Sequence, residues 1–458
     1  MNDITAFFAF LKYCLGYKEN MSRVIAGMNW HELYSFASKQ ALLGLCFEGI
    51  ERLGEEYPEE LRLNPIGREL LMTWMGKAQQ IHRQNMKVNA VASKLFSMLR
   101  EDGMRCCVLK GQGNALMYPN PYSRTPGDID VWIDASRERI LEYAQKKFEL
   151  GDDIRLQHLE TSLDGVPVEL HFFPCSMNNP IYHARLQKWF RRNADLQCPH
   201  IVGLPDGAGD IAIPTTAFNV IYQLTHLYHH FFDEGIGMRQ IIDYFLVVND
   251  FSKNVFLNND LSNPSVNFSN HPVPLSKEGS TFSPSPSSSG SGDVTAPSRC
   301  SEPLRSKDGG ASKPSPNCAG WDRLAIEGDN SAGSTTVVTS SVSTALVVVQ
   351  RELKYLGLWK FAGAVMYVLH EALGLSEEKM IAPMDEKRGK LLLAEILNGG
   401  NFGRHFTKYG HFTQQGMAKK YFLKIWRNMH FVRYFPAEAL SEPIFRTWHF
   451  FWRLKHRR

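Results

Sequence analysis

The feature that most restricts the fold of this chain is a dipeptide, Asp164-Gly165, standing between two runs of β-type residues at 155–163 and 166–172. Asp-Gly is a two-residue connection whose backbone twist matches that of paired strands, so the segment reads as a β-hairpin. Alternate side chains of a strand leave opposite faces. Val168 and Leu170 therefore face inward, while Glu169 and His171 share the other face. A further strand is expected at 128–133, with Ile129 and Val131 pointing into a core and Asp128 and Asp130 leaving together on the opposite face. Two adjacent carboxylates repel each other unless a cation lies between them, which suggests a hard divalent metal such as Mg²⁺. With the hairpin beside that strand, Glu169 adds a third carboxylate to the cluster.

Upstream, the apolar run Cys106 to Leu109 leads into Lys110-Gly111-Gln112-Gly113. Exposed backbone N–H groups at such a bend, together with Lys110, can hold a triphosphate. A lone Asp-x-Asp is common by chance, and the glycines, the strand alternation and the third carboxylate set this one apart. The succession Leu109-Lys-Gly111, Arg124, Asp128-Ile-Asp130 and Val166-Pro-Val-Glu-Leu-His171 resembles the nucleotidyltransferase superfamily of the DNA polymerase β type. It is most similar to the bacterial group of uncharacterised nucleotidyltransferases, over residues 100–175 and more weakly over 215–250 and the C-terminal helices. Where the wider superfamily has Gly-Ser or Gly-Gly, this chain has Gly111-Gln112-Gly113.

The resemblance implies an α+β fold, with a small mixed β-sheet core between N- and C-terminal helical regions. It also implies metal-dependent transfer of a nucleoside monophosphate from a nucleoside triphosphate to an acceptor hydroxyl, with release of pyrophosphate. Asp128, Asp130 and Glu169 would be the catalytic and metal-binding residues, holding two Mg²⁺ ions, with Mn²⁺ able to replace them. Lys110, Gly111, Gly113 and Arg124 are the candidates for nucleotide binding. Lys110 also reads as an ordinary lysine at a strand end, and Arg124 as a structural partner of the carboxylates.

Hydrophobic residues make up 43% of the 458, ample for a buried core and room for two or three domains. The net charge of +4 is unevenly spread. From Gly416 to Arg458 there are ten Lys or Arg against two Asp or Glu, leaving a balance of −4 over the rest. Eight cysteines without a CxxC pair exclude a zinc ribbon or a secreted disulfide framework, and the adjacent Cys106 and Cys107 read as core residues. Met1 to Tyr13 lacks a basic leader, and no stretch has the length of a membrane span, so a cytoplasmic protein is expected.

Along the chain the pattern divides into an N-terminal helical region at 1–95, a nucleotidyltransferase core at 96–200 and a helical pair at 201–250. A Ser/Pro-rich insertion at 251–342 and a C-terminal helical region with a basic tail at 343–458 follow. The insertion, with Ser283-Pro-Ser-Pro-Ser-Ser-Ser-Gly-Ser-Gly292 at its centre, has too little apolar surface to offset ordering and is expected to be disordered. Val337 to Val349 reads either as the start of the next helix or as a strand. A long amphipathic helix is expected at 70–99, its polar face carrying Lys77, Arg83 and Lys87.

His226 and His230 lie one helical turn apart, but Leu227 stands where a zinc-protease helix needs Glu. Arg239 and Asp243 are likewise one turn apart and can pair. His171, His226, Arg239 and Asp243 form a possible pocket. The C-terminus interleaves basic and aromatic residues, which suits nucleic-acid contact, inward-packed aromatics with solvated lysines, or a membrane-surface helix. The acceptor is open among small molecule, protein and RNA. Two other functions compete: a nucleotide-binding interaction protein without turnover, and a glycosyltransferase using Asp-x-Asp to hold a metal on a sugar nucleotide.

Overall fold

The computed structural model describes residues 3–150, 155–257, 335–406 and 417–456. They form an α+β protein in which helices surround one small mixed sheet. The sheet has four strands: β1 (Cys106–Val108), β2 (Ile129–Ile133), β3 (His158–Leu163) and β4 (Val166–His171). Their spatial order is β1-β2-β4-β3, with β1 antiparallel to β2, β2 parallel to β4, and β3 antiparallel to β4. A separate ribbon pairs β5 (Ile201–Gly203) with β6 (Asp210–Ala212).

The hairpin forms where the turn chemistry puts it. Asp164 and Gly165 both have positive φ, 48° and 71°, the backbone of a type I′ connection. Register follows from that turn: Leu163 lies opposite Val166, and counting outward brings Glu160 to Glu169 and His158 to His171. Strand β2 is buried along its whole length, as a central strand covered on both faces must be.

Helix Arg68–Glu101 runs for 34 residues and buries Trp74, Ile81, Val88, Ala92, Leu95 and Leu99 along one stripe, at helical intervals of three, four and seven. Its residues Lys77, Arg83 and Lys87 are exposed, a solvated face. Helices Thr216–Asp233 and Met238–Leu257 pack against each other. An aromatic cluster joins the first of them to the C-terminal region. Tyr228 stands 4.7 Å from Phe361 between ring centroids, and Phe231 the same distance from Phe431.

Of the insertion expected at 251–342, residues 258–334 lie outside the described residues. On its far side Thr335–Tyr355 is helical, so the β-branched run at 337–349 belongs to a helix and not to a strand. Gly357, at φ +73°, separates that helix from Trp359–Leu373, and a side chain there would run into the Tyr182 ring. Cys14, Cys46, Cys106, Cys107 and Cys175 are free and buried, and Cys198 is free and half-buried. Among the described residues no helix is long and apolar enough to cross a membrane.

Candidate functional site

Parallel pairing of β2 with β4 sets Asp130 directly beside Glu169 on one face of the sheet. Asp128, just ahead of β2, is exposed, whereas Asp130 is buried and the Glu169 side chain is 20% exposed. One carboxylate oxygen from each of the three lies within 4.8 Å of the others. These are hard oxygen donors, gathered closely enough to share a cation and open to water on the Asp128 side. The donor set fits a divalent metal such as Mg²⁺.

Two nitrogen groups are interleaved with the carboxylates. Nε2 of His171 is 3.0 Å from Asp130 Oδ1 and 3.2 Å from Glu169 Oε2. Lys110 Nζ is 3.1 Å from the other Asp130 oxygen. Lys110 arrives there because the Leu109 amide donates to the Asp130 carbonyl at 2.9 Å, extending the β1–β2 ladder to the strand end. Burial opposes charge on His171, but hydrogen bonds to Asp130 and Glu169 carry its pKa up to about 9. Burial likewise opposes charge on Lys110 and is outweighed by Asp130, Asp128 and Glu169, so its pKa is raised. For Glu169 burial favours the neutral acid, yet the His171 hydrogen bond and charge hold its pKa below the usual range.

Beyond Lys110 the helix Thr216–Asp233 contributes two imidazoles. His226 Nε2 is 2.9 Å from Lys110 Nζ, and His230 Nε2 is 3.2 Å from the same His226 nitrogen. Burial and the Lys110 charge push both histidines well below their usual pKa, so neutral His226 accepts from the ammonium. His226 thus belongs to the lysine and not to a zinc site of its own.

The glycine bend has two separate causes. Gly111 adopts φ 60°, ψ −107°, a backbone that side chains strongly disfavour, and caps the short helix Gln112–Ala115. Gly113 is small for packing: a Cβ there would stand 2.9 Å from Ile213 Cγ2.

Arg124, Arg239 and Asp243 gather in a second polar cluster. Arg124 is buried, and its Nε and Nη2 each donate to Asp243 at 2.8 Å. The Tyr118 hydroxyl donates to the same carboxylate at 2.8 Å. The pairing of Arg239 with Asp243 expected from their spacing does not form. Asp243 is taken by Arg124, 119 positions away, and Arg239 donates to the Thr125 carbonyl at 3.0 Å. Both arginines therefore grip the loop that leads into Asp128.

Sequence reasoning did not single out His158. It lies opposite His171 across the hairpin, with Nδ1 3.4 Å from Glu169 Oε2. Burial and the nearby His171 charge lower its pKa to about 2. The signal was available, because the Asp164-Gly165 turn fixes which residue faces His171. His158 also borders a polar cavity of about 150 Å³ that includes Gln157, Ser176, His229 and Arg446 in its wall. Gln157 in turn contacts His171 Nδ1 at 3.3 Å. The cavity therefore adjoins the residues that support the carboxylates.

Residues 26–262, more than half of the chain, match the family described as "Uncharacterised nucleotidyltransferase". No curated protein and no solved structure matches the chain.

Proposed function

We propose that this chain, which belongs to the family of uncharacterised nucleotidyltransferases, transfers a nucleoside monophosphate from a nucleoside triphosphate to an acceptor hydroxyl. The acceptor oxygen forms a bond to the α-phosphorus as the bond from that phosphorus to the bridging oxygen breaks, and pyrophosphate leaves. The observation that carries this reading is the convergence of Asp128, Asp130 and Glu169 from neighbouring strands within 4.8 Å. These three would hold Mg²⁺, as two ions or with Mn²⁺ instead, and the metal would offset charge on the α-phosphate and the departing pyrophosphate.

The chain's own residues do the rest. Lys110, kept charged by the carboxylates and held beside Asp130, would supply positive charge to phosphate oxygens next to a metal at that cluster. Gly111 bends the backbone immediately after it, which brings main-chain amides within reach of phosphate. His171 orients Asp130 and Glu169 through a single nitrogen. Arg124 and Arg239 steady the approach to Asp128 from below. The acceptor enters by the polar cavity beside His158, where the proton of its hydroxyl passes toward Glu169.

Incubation with Mg²⁺ and labelled nucleotides across an acceptor screen should release pyrophosphate and label an acceptor. The double substitution Asp128→Ala, Asp130→Ala should remove both signals. Equal turnover by the double variant would falsify the assignment. Metal-dependent nucleotide binding with no product from any acceptor would instead favour a binding protein of the same fold.

A further inference from the structure

The C-terminal helix Pro436–His456 is turned inside out. A surface helix ordinarily buries its apolar stripe and offers polar residues to water. Here Glu438 and Glu442 are each 1% exposed. Arg446 on the same side is tied to Asp233 at 2.8 Å, and its neighbour His449 faces the polar cavity. The opposite side carries Leu440, Ile444, Trp448 and Phe451, at intervals of three and four, and all four are exposed, Ile444 by 73%. The helix packed against it, Met417–Met429, repeats the arrangement with exposed Phe422 and Met429. A contiguous apolar stripe of this kind marks a surface that is covered in use.

Charge indicates what covers it. The only acids from Gly416 onward are Glu438 and Glu442, and both point inward. Exposed charge here is therefore basic, as at Arg433 in the turn between the two helices and at Lys455, within a segment of net charge +8. A second copy of the chain would bring this charge against its equal. RNA bases could stack on Phe422, Trp448 and Phe451, but the aliphatic Leu440, Ile444 and Met429 interleaved with them suit hydrocarbon and not bases. Lys424, Arg427 and Arg446 pair within the protein, with Asp233 and Glu395 among their partners, which leaves the attraction of any anionic surface to exposed cations such as Arg433 and Lys455. Aromatic and aliphatic side chains flanked by Lys and Arg are the composition of helices that lie in the interface of an anionic bilayer.

We propose that the outward stripe of Pro436–His456, together with that of Met417–Met429, docks the protein on the surface of an anionic lipid membrane. The inward polar side then serves the cavity next to the carboxylate cluster while the outward side rests among lipid headgroups. Docking is independent of nucleotidyl transfer.

The test is cosedimentation of the full-length protein with vesicles of phosphatidylcholine alone or mixed with phosphatidylglycerol. Binding to the anionic vesicles should exceed binding to the neutral ones and should weaken as salt is raised. Ile444→Asp should lower partitioning by about tenfold or more, a loss of about 1.4 kcal/mol. Ile444 is exposed, so this variant should melt like the parent. Arg433→Glu with Lys455→Glu should remove the preference for anionic vesicles while leaving the fold intact. These outcomes overturn the proposal: no binding to anionic vesicles at low salt, equal binding by Ile444→Asp, or concentration-dependent self-association that Ile444→Asp abolishes. So does displacement from vesicles by a single-stranded oligoribonucleotide that binds the same stripe.

Discussion

Replacing Asp243 with alanine should destabilise the protein far more than loss of a surface ion pair, and the structure indicates by how much. Its carboxylate accepts two hydrogen bonds of 2.8 Å from Arg124 and a third from Tyr118. The two side chains are only 4% and 8% exposed. Alanine would strand a buried guanidinium, with Arg239 close enough to repel it. Breaking one side of such a buried pair costs about 3–5 kcal/mol, whereas an exposed pair contributes about 0–1 kcal/mol. For a chain of this size that corresponds to a fall of roughly 3–6 °C in melting temperature. Thermal melting and urea unfolding of Asp243→Ala against the parent give the comparison. The double variant Arg124→Met, Asp243→Leu should recover most of the loss, because it removes the stranded charge along with its partner. A single-variant loss below about 1 kcal/mol, or a double variant no better than the single, refutes the reasoning. Arg124 also lies on the loop into Asp128, so Asp243→Ala should weaken metal binding without touching a carboxylate of the site.

Three further outcomes can be checked. Glu438 is buried and its pKa is pushed up to about 7 from 4.5, mainly by desolvation. The folded state therefore holds a proton that the unfolded state has released between those values, and stability should fall by roughly 2–4 kcal/mol as pH rises through that window; Glu438→Gln should flatten this part of a stability-against-pH profile. Gly111→Ala should cost about 1–3 kcal/mol in urea unfolding, since alanine must adopt a backbone reserved for glycine, and a neutral result would mean the bend is not strained. His158→Ala should reduce turnover of acceptor while nucleotide binding, followed by calorimetry, stays within about twofold of the parent.

Some of this site is readable within a few residues of chain. The Asp164-Gly165 turn and its flanking alternation specify both the hairpin and its register, and with it the meeting of His158 and His171. Asp128 and Asp130 share a side because strand side chains alternate, wherever that strand is placed. The long helix Arg68–Glu101 follows from its apolar spacing, whereas the demand for glycine at 357 includes the close approach of Tyr182, far off in sequence. Family resemblance rested on the same short motifs and was borne out by the match over residues 26–262.

Other features depend on residues far apart in sequence. Asp130 meets Glu169 only because β2 and β4 pair in parallel across an intervening helix and strand. Lys110 finds His226 at a separation of 116 residues, and Arg124 chooses Asp243 over the nearer-seeming claim of Arg239. Spacing within Pro436–His456 reveals two faces, but which of them turns inward was settled by the polar partners waiting at Asp233 and at the backbone of Asn178. The physical division is one of range. Backbone dihedrals and side-chain alternation are properties of a few consecutive residues, whereas the partner of a buried charge is whichever group the packed chain brings within hydrogen-bonding distance when water is excluded.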